Sequence, residues 1–393
     1  KYEAEQYLYR QAKAFREGAL PGTVDYEDHI TMWRWDSEND TVAPYRYSAE
    51  TASRMMAARL ARELYALSPE NRDYRRLYLE TNLADAKILS GLDRPLPQGP
   101  GTVHSAAVAT GKDALEDVLA HAMQHGYTMA AIGATEVLAD IGDDALLRSD
   151  DGHPRPLAMA MRHGDRRLRL AAAEAVMKIN PQQCYPGSSY LPETFGYLIR
   201  TVGSRRVLVA HPRVEKAQTL VGMLNQIGFE ADAARSGREA FRLAARNPDY
   251  ECVLISDAVD FPAASETVQM MRKDPLTSRL PIGLMAREPN LKKAQDEAAR
   301  DPRTLAFPRP HNERGMAFQL SRLLALAGHE LVPYDERLDQ AQRALDHLIR
   351  LAETPQQSSF YDLYRQKDAV NSALFTPPLS AAAARLMGLL GSP

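Results

Sequence analysis

The sequence predicts a multidomain chain: α-helical blocks on both sides of an α/β domain that is built on a doubly wound, five-stranded parallel sheet. Two observations carry this. Between Arg206 and Pro310 five short apolar runs alternate with five amphipathic helical patterns, an alternation that forces right-handed crossovers between parallel strands. Elsewhere apolar residues recur three or four apart in alanine-rich stretches separated by short turns, the period of helices packed on helices. The 393 residues divide on this basis into a helical region 1–100, a second helical block 101–203, the α/β domain 204–327 and a helical segment 328–393.

In the first region the pattern is almost entirely helical. Ala52, Met55, Met56, Leu60 and Leu64 predict a helix over 49–66, and Leu77, Leu83, Ala86 and Leu89 another over 75–89, with the turn Ser68-Pro69-Glu70-Asn71 between them. Trp33-Arg34-Trp35, in an acidic and turn-rich stretch, either anchors a loop onto a helical layer or forms a peptide-docking patch. The Pro/Gly-rich stretch 95–101 reads as a linker. Helices follow over 113–124, 130–141, 156–163 and 167–179, the last with Asp165 as its N-cap and Leu168, Ala172, Val176 and Ile179 facing inward.

This succession resembles HEAT-type helical repeats, in which a short helix, an aspartate turn and an alanine-rich second helix recur. Asp143 and Asp165 lie closer than the roughly 40 residues of such a unit, so the repeats are irregular. Beyond the sheet, helices over 335–351 and 380–390 continue the theme.

Within the α/β domain Val207 to Ala210 form a continuous apolar run, as a strand covered on both faces requires. A helix follows over 214–227, closed by Gly228, which tolerates positive φ. A second strand covers 229–234, and Ser236-Gly237-Arg238-Glu239 opens the next helix as a capping box. Strands over 252–255, 280–285 and 304–307 alternate with helices over 265–272, 290–300 and 314–325.

Several short strings here resemble the receiver domain of bacterial response regulators, a flavodoxin-like fold. They are Arg206-Val207-Leu208-Val209, Ser236-Gly237-Arg238-Glu239-Ala240, and Met271-Arg272-Lys273-Asp274-Pro275 ahead of Leu280-Pro281-Ile282; Arg309-Pro310 stands where receivers carry Lys-Pro. The resemblance implies a phosphate-accepting aspartate at the end of the third strand and a magnesium ion held by an acidic pair after the first. His211-Pro212 occupies the acidic-pair position, and Ala286 the place of a phosphate-binding hydroxyl. The acceptor falls on Ser256 in one register and on Asp257 in the next. A degenerate, pseudo-receiver pocket of His211, Pro212, Ser256, Asp257, Ala286 and Arg309 is therefore expected.

Composition narrows the rest. With 45% hydrophobic and 25% charged residues and a net charge of −3, nothing steers the molecule toward nucleic acid or an anionic membrane, and no apolar run approaches the roughly 20 residues of a membrane span. Cys184 and Cys252 fall in different domains, which argues against a disulfide. His121 and His125, one helical turn apart with Asp117 a turn earlier, are the weak metal candidates, lacking a fourth ligand. His153 and His163 flank loops without partners. Nucleophile elbows, zinc helices, P-loops and dinucleotide fingerprints are missing, so neither an enzyme nor a cofactor is expected. Lys1 at the start and Gly391-Ser392-Pro393 at the end read as the ends of a piece cut from a longer protein, and the receiver resemblance implies a cytoplasmic location.

Three functions fit these residues. The first is a non-catalytic scaffold or adaptor, binding protein partners through its helical repeats and a receiver-like docking face. The second is a phospho-receiver with Asp257 as acceptor. The third is a small-ligand sensor that uses the vestigial pocket.

Overall fold

The computed structural model describes residues 2–36, 39–328, 331–354 and 359–391. Lys1 and the closing Ser392-Pro393, on which the reading of cut ends rests, lie outside them. Two compact units emerge, one of Lys1–Asp150, Pro154–Ala160 and Glu174–Asn180, the other of Asp151–His153, Met161–Ala173 and Pro181–Pro393.

The first unit begins with α1 (Tyr2–Arg16), then β1 (His29–Asp36) and β2 (Thr41–Ser48), followed by α2 (Ala49–Leu67), α3 (Arg72–Ser90), α4 (Val103–Ala109), α5 (Lys112–His125), α6 (Thr128–Ile141) and α7 (Pro156–Ala160). Periodicity locates α2, α3, α5 and α6 to within three residues at either end. Ala12, Ala61, Leu64, Tyr74 and Leu77 seal α1, α2 and α3 together. Gly133 lets α6 approach α3, since a Cβ there would sit 3.1 Å from that of Leu83. The stretch 95–101 lies inside this unit. Leu96 is buried, its N–H reaches Glu136 at 2.9 Å, and the buried Lys87 ammonium pairs with the other oxygen of Glu136.

An almost wholly helical start is corrected by the antiparallel ribbon of β1 and β2, in register from His29 opposite Ser48 to Asp36 opposite Thr41. Its inner face, Ile30, Met32 and Tyr47, packs on Ala49 and Ala52. Trp33 and Trp35 lie on the other face, 67% and 61% exposed, opposite Pro44 and Val42. They do not anchor a loop onto a helical layer; the side-chain alternation of a strand turns them outward.

In the second unit the chain runs through α9 (Tyr190–Leu198) into β3 (Arg206–Ala210), α10 (Val214–Gln226), β4 (Glu230–Ala234), α11 (Gly237–Arg246), β5 (Tyr250–Ser256), α12 (Ala264–Lys273), β6 (Ile282–Ala286), α13 (Glu288–Ala298), β7 (Thr304–Pro308) and α14 (Glu313–Ala325). All strand pairs are parallel, in the order β4-β3-β5-β6-β7, so the five-stranded, doubly wound sheet is present as expected. Successive residues of β3 and β5 feed opposite cores. Leu208, Ala210, Val253 and Ile255 meet α11, α12 and α13, while Val207, Val209, Cys252 and Leu254 meet α10 and α14. This two-sided burial is why both strands read as unbroken apolar runs. The helix α15 (Tyr334–Glu353), with α16 (Lys367–Ala373) and α17 (Ser380–Leu389), completes the unit, and Phe195 of α9 stacks on His347 of α15 at 5.2 Å. The helix α8 (Arg166–Ile179) contributes its first half here and its second half to the first unit. Among the described residues no helix is long and apolar enough to cross a membrane.

Candidate functional site

Parallel strands bring the loops that follow them to one edge of the sheet, and in an open α/β sheet that edge is where ligands bind. His211 follows β3, Asp257 follows β5, Arg287 follows β6 and Arg309 follows β7, so a pocket scattered over about a hundred residues is assembled at one edge.

Ser256 and Asp257 take different roles. Ser256 is the last residue of β5 and fully buried, its hydroxyl accepting a hydrogen bond from Arg309 Nη2 at 3.1 Å. Asp257 extends the ladder by one step, donating its N–H to the Met285 carbonyl at 2.9 Å, and turns its carboxylate to the rim. One oxygen accepts from the Asn290 amide at 2.7 Å, the Arg287 Nε at 3.0 Å and the Arg287 N–H at 3.3 Å; the other lies 3.9 Å from Arg309 Nη2. Burial works against ionisation, and the Asn290 and Arg287 hydrogen bonds outweigh it, holding this carboxyl below the ordinary aspartate value.

His211 is 2% exposed. Its Nδ1 accepts the N–H of Arg213 at 3.0 Å, which places the ring proton on Nε2, and Nε2 is buried without a partner, as is Arg309 Nε. Burial, reinforced by Arg309, pushes its pKa below the usual imidazole value, so the ring is neutral. Pro212 is exposed and has no ligating atom, while Ala286 belongs to the apolar core beside Ile255 and Leu284.

The magnesium ion implied by the receiver resemblance does not fit these residues. It takes oxygen ligands at close to octahedral geometry, and the Asp257 carboxylate already serves an arginine and an amide. Among the described residues no group of three His, Cys, Asp or Glu could hold a metal ion. The clamp residues Arg287 and Asn290 escape a reading from sequence because neither belongs to a short motif; only their place after the fourth strand, on the acceptor's edge, hints at them.

The other candidates do not join this site. Asp117 is taken by Arg72 and Arg76 at 2.6 and 3.2 Å, leaving His121 and His125 stacked at 4.0 Å, with His121 Nδ1 on the buried Glu80 carboxylate and His125 Nδ1 on the His121 carbonyl at 2.9 Å. His153 is exposed. His163 accepts the Asp165 N–H at 3.1 Å. Cys184 is exposed beside Ser188, and burial raises the Cys252 thiol pKa far above its ordinary value.

No family model and no curated protein matches the chain. Similar solved structures include the chemotaxis response regulator CheY4 of Vibrio cholerae, at a TM-score of 0.28 and 21% identity, covering 30% of this chain and 98% of that one. A sensor protein from Polaromonas sp. JS666 is similar at a TM-score of 0.29 and 22% identity, covering 31% and 98%. A response regulator receiver domain protein from Clostridium thermocellum has a TM-score of 0.28 at 16% identity, covering 30% and 94%.

Proposed function

We propose that the chain is a non-catalytic scaffold or adaptor in which HEAT-like helical pairs and a pseudo-receiver domain bind protein partners. One observation carries this reading: Asp257, the residue that would accept a phosphoryl group, is clamped by Arg287 and Asn290, with His211-Pro212 where metal-binding acids would stand. An arginine in an ion pair neutralises the carboxylate that magnesium would otherwise bridge, so the nucleophile is screened and the electrophile has no divalent cation to spread its charge. What remains is a rigid sheet domain with exposed helical faces. Such surfaces are suited to constitutive docking.

Treatment with acetyl phosphate, and separately with beryllofluoride, in the presence of magnesium tests this. The expected result is an unchanged intact mass and unchanged hydrogen exchange in α13 and α14. A phosphoryl-sized mass gain that disappears in Asp257→Ala would transfer the protein to the phospho-receiver class. The small-ligand reading has its own support in the orphaned nitrogens of His211 and Arg309. A saturable thermal shift with a nucleotide or divalent cation, lost in His211→Ala, would select it instead.

A further inference from the structure

The ribbon of β1 and β2 has one open edge. In an antiparallel ladder, residue pairs that bond across the strands alternate with pairs whose N–H and C=O groups point away from each other. His29 is of the second kind: it stands opposite Ser48, yet its N–H donates to Asp25 Oδ1 and its carbonyl accepts the Asp25 N–H, both at 2.9 Å. By the same alternation the backbone groups of Thr31, Trp33 and Trp35 turn outward along that edge. Pro44, opposite Trp33, agrees with this, because it has no N–H to send across.

The two edges are therefore unlike. On β2, Pro44 interrupts the outward row of donors, a common guard against further pairing. On β1 the row is unbroken. The sheet has two strands, and among the described residues no backbone bond from elsewhere reaches Thr31, Trp33 or Trp35. These residues span four strand steps, about 14 Å. Beside them lies an apolar face on which Trp33, Trp35 and Val42 are 67%, 61% and 52% exposed.

Charge decides what suits this edge. Residues 25–46 hold six acids, Asp25, Glu27, Asp28, Asp36, Glu38 and Asp40, against Arg34 and Arg46, a net charge of −4 (2 − 6). Arg46 is already shared by Asp25 and Glu27. The helix behind the ribbon does not restore the balance: its first turn adds Glu50, and its Arg54 is paired with Asp85 at 3.0 Å. A second copy of the chain would bring the same acids to the edge, and like charges facing each other across a ladder are destabilising. A cationic strand instead meets acids before β1 and at its far end, and its Lys or Arg side chains can lie over the indoles, the best rings for such a contact.

We propose that the β1 edge binds an extended, basic segment of a protein partner by strand addition, with alternate side chains of that segment resting on Trp33 and Trp35. Main-chain bonds supply the affinity and the contacts with the indoles the selectivity. About five residues of the partner fill the edge. The inference rests on the scaffold reading and names one of its docking surfaces.

The chain has two tryptophans, both on this face, so the intrinsic fluorescence of the whole protein reports on the site alone. Titration with a short peptide of alternating arginine and valine should give a saturable spectral shift, confirmed by calorimetry. The same peptide with glutamate for arginine, or with its backbone nitrogens methylated so that it cannot donate to a ladder, should bind at least tenfold more weakly. Thr31→Pro removes one outward N–H and leaves the β1–β2 ladder whole, as Pro44 already does on the neighbouring strand; it and Trp33→Ala should each weaken binding at least tenfold with unchanged circular dichroism. Should Thr31→Pro fail to fold, Trp33→Ala and the methylated peptide carry the test. Absence of saturable binding, equal binding of the methylated peptide, or a dimer in sedimentation that Trp33→Ala dissolves overturns the proposal. The two readings fail separately, because loss of peptide binding leaves the mass test at Asp257 unchanged and a phosphoryl gain at Asp257 leaves peptide binding unchanged.

Discussion

Replacing Asp257 by asparagine removes the charge from the Arg287–Asn290 clamp and keeps the shape of the side chain. The carboxylate is 9% exposed and takes three hydrogen bonds on one oxygen. Hydrogen bonds to a charged group contribute about 1.5–3 kcal/mol, but the Arg287 side chain is 59% exposed, so solvent screens its share, and a loss of about 1–2 kcal/mol at neutral pH is expected. The pH dependence has a definite sign. Because the folded carboxyl lies below the ordinary value, its contribution is complete above the unfolded pKa of about 3.9 and fades as pH falls through the folded value. The difference between wild type and Asp257→Asn should therefore be flat above about pH 5 and shrink below about pH 4. Both tryptophans, Trp33 and Trp35, belong to the first unit, so their fluorescence does not report on this site. Amide hydrogen exchange in β5 and β6 does. A difference below about 0.3 kcal/mol at pH 7, or one that widens on acidification, would refute the clamp as a source of stability.

Gly283→Ala should destabilise the sheet by about 1–3 kcal/mol through overpacking, since the added Cβ would lie 2.8 Å from Leu254 Cδ2 and 2.9 Å from Phe307 Cζ; a lowered urea midpoint by circular dichroism checks this. In the first unit Glu136→Gln leaves the Lys87 ammonium, 1% exposed, without its counter-charge. A loss of about 3–5 kcal/mol is expected, and tryptophan fluorescence follows it because both tryptophans lie in that unit.

The sheet was legible because its inner strands β3, β5 and β6 are buried on both faces and read as unbroken apolar runs, while the helices between them carry a single apolar stripe. Capping was legible in part. Ser236 accepts the Glu239 N–H at 3.2 Å as the motif requires, but the Glu239 carboxylate reaches the Arg235 N–H at 2.8 Å, one residue before the cap. The ribbon was not legible, because Trp33, Trp35, Val42 and Pro44 put apolar side chains on its solvent face and erase the alternation that marks a half-buried strand. At the candidate site, sequence located the edge and the degenerate positions. It left Ser256 and Asp257 undecided, since a shift of one residue in a strand exchanges the two faces, and it could not foresee Arg287 and Asn290, whose role depends on where a loop turns.

Both ends of β5 are held by charge. At its start Asp249 binds the Thr201 hydroxyl and, at 2.6 Å, the Val202 N–H, while Glu251 is shared by Arg205 and Arg337. At its far end Asp257 is tied through Arg287 to the junction of β6 and α13 and through Asn290 to the first turn of α13. All seven residues between Tyr250 and Ser256 are buried, so the strand has no soft position at which a displacement of one end could be absorbed or passed along. A switch acting through this domain would need a bistable element with two packings of similar energy. The sheet edge offers none, because freeing Asp257 would leave a mostly buried carboxylate without its donors.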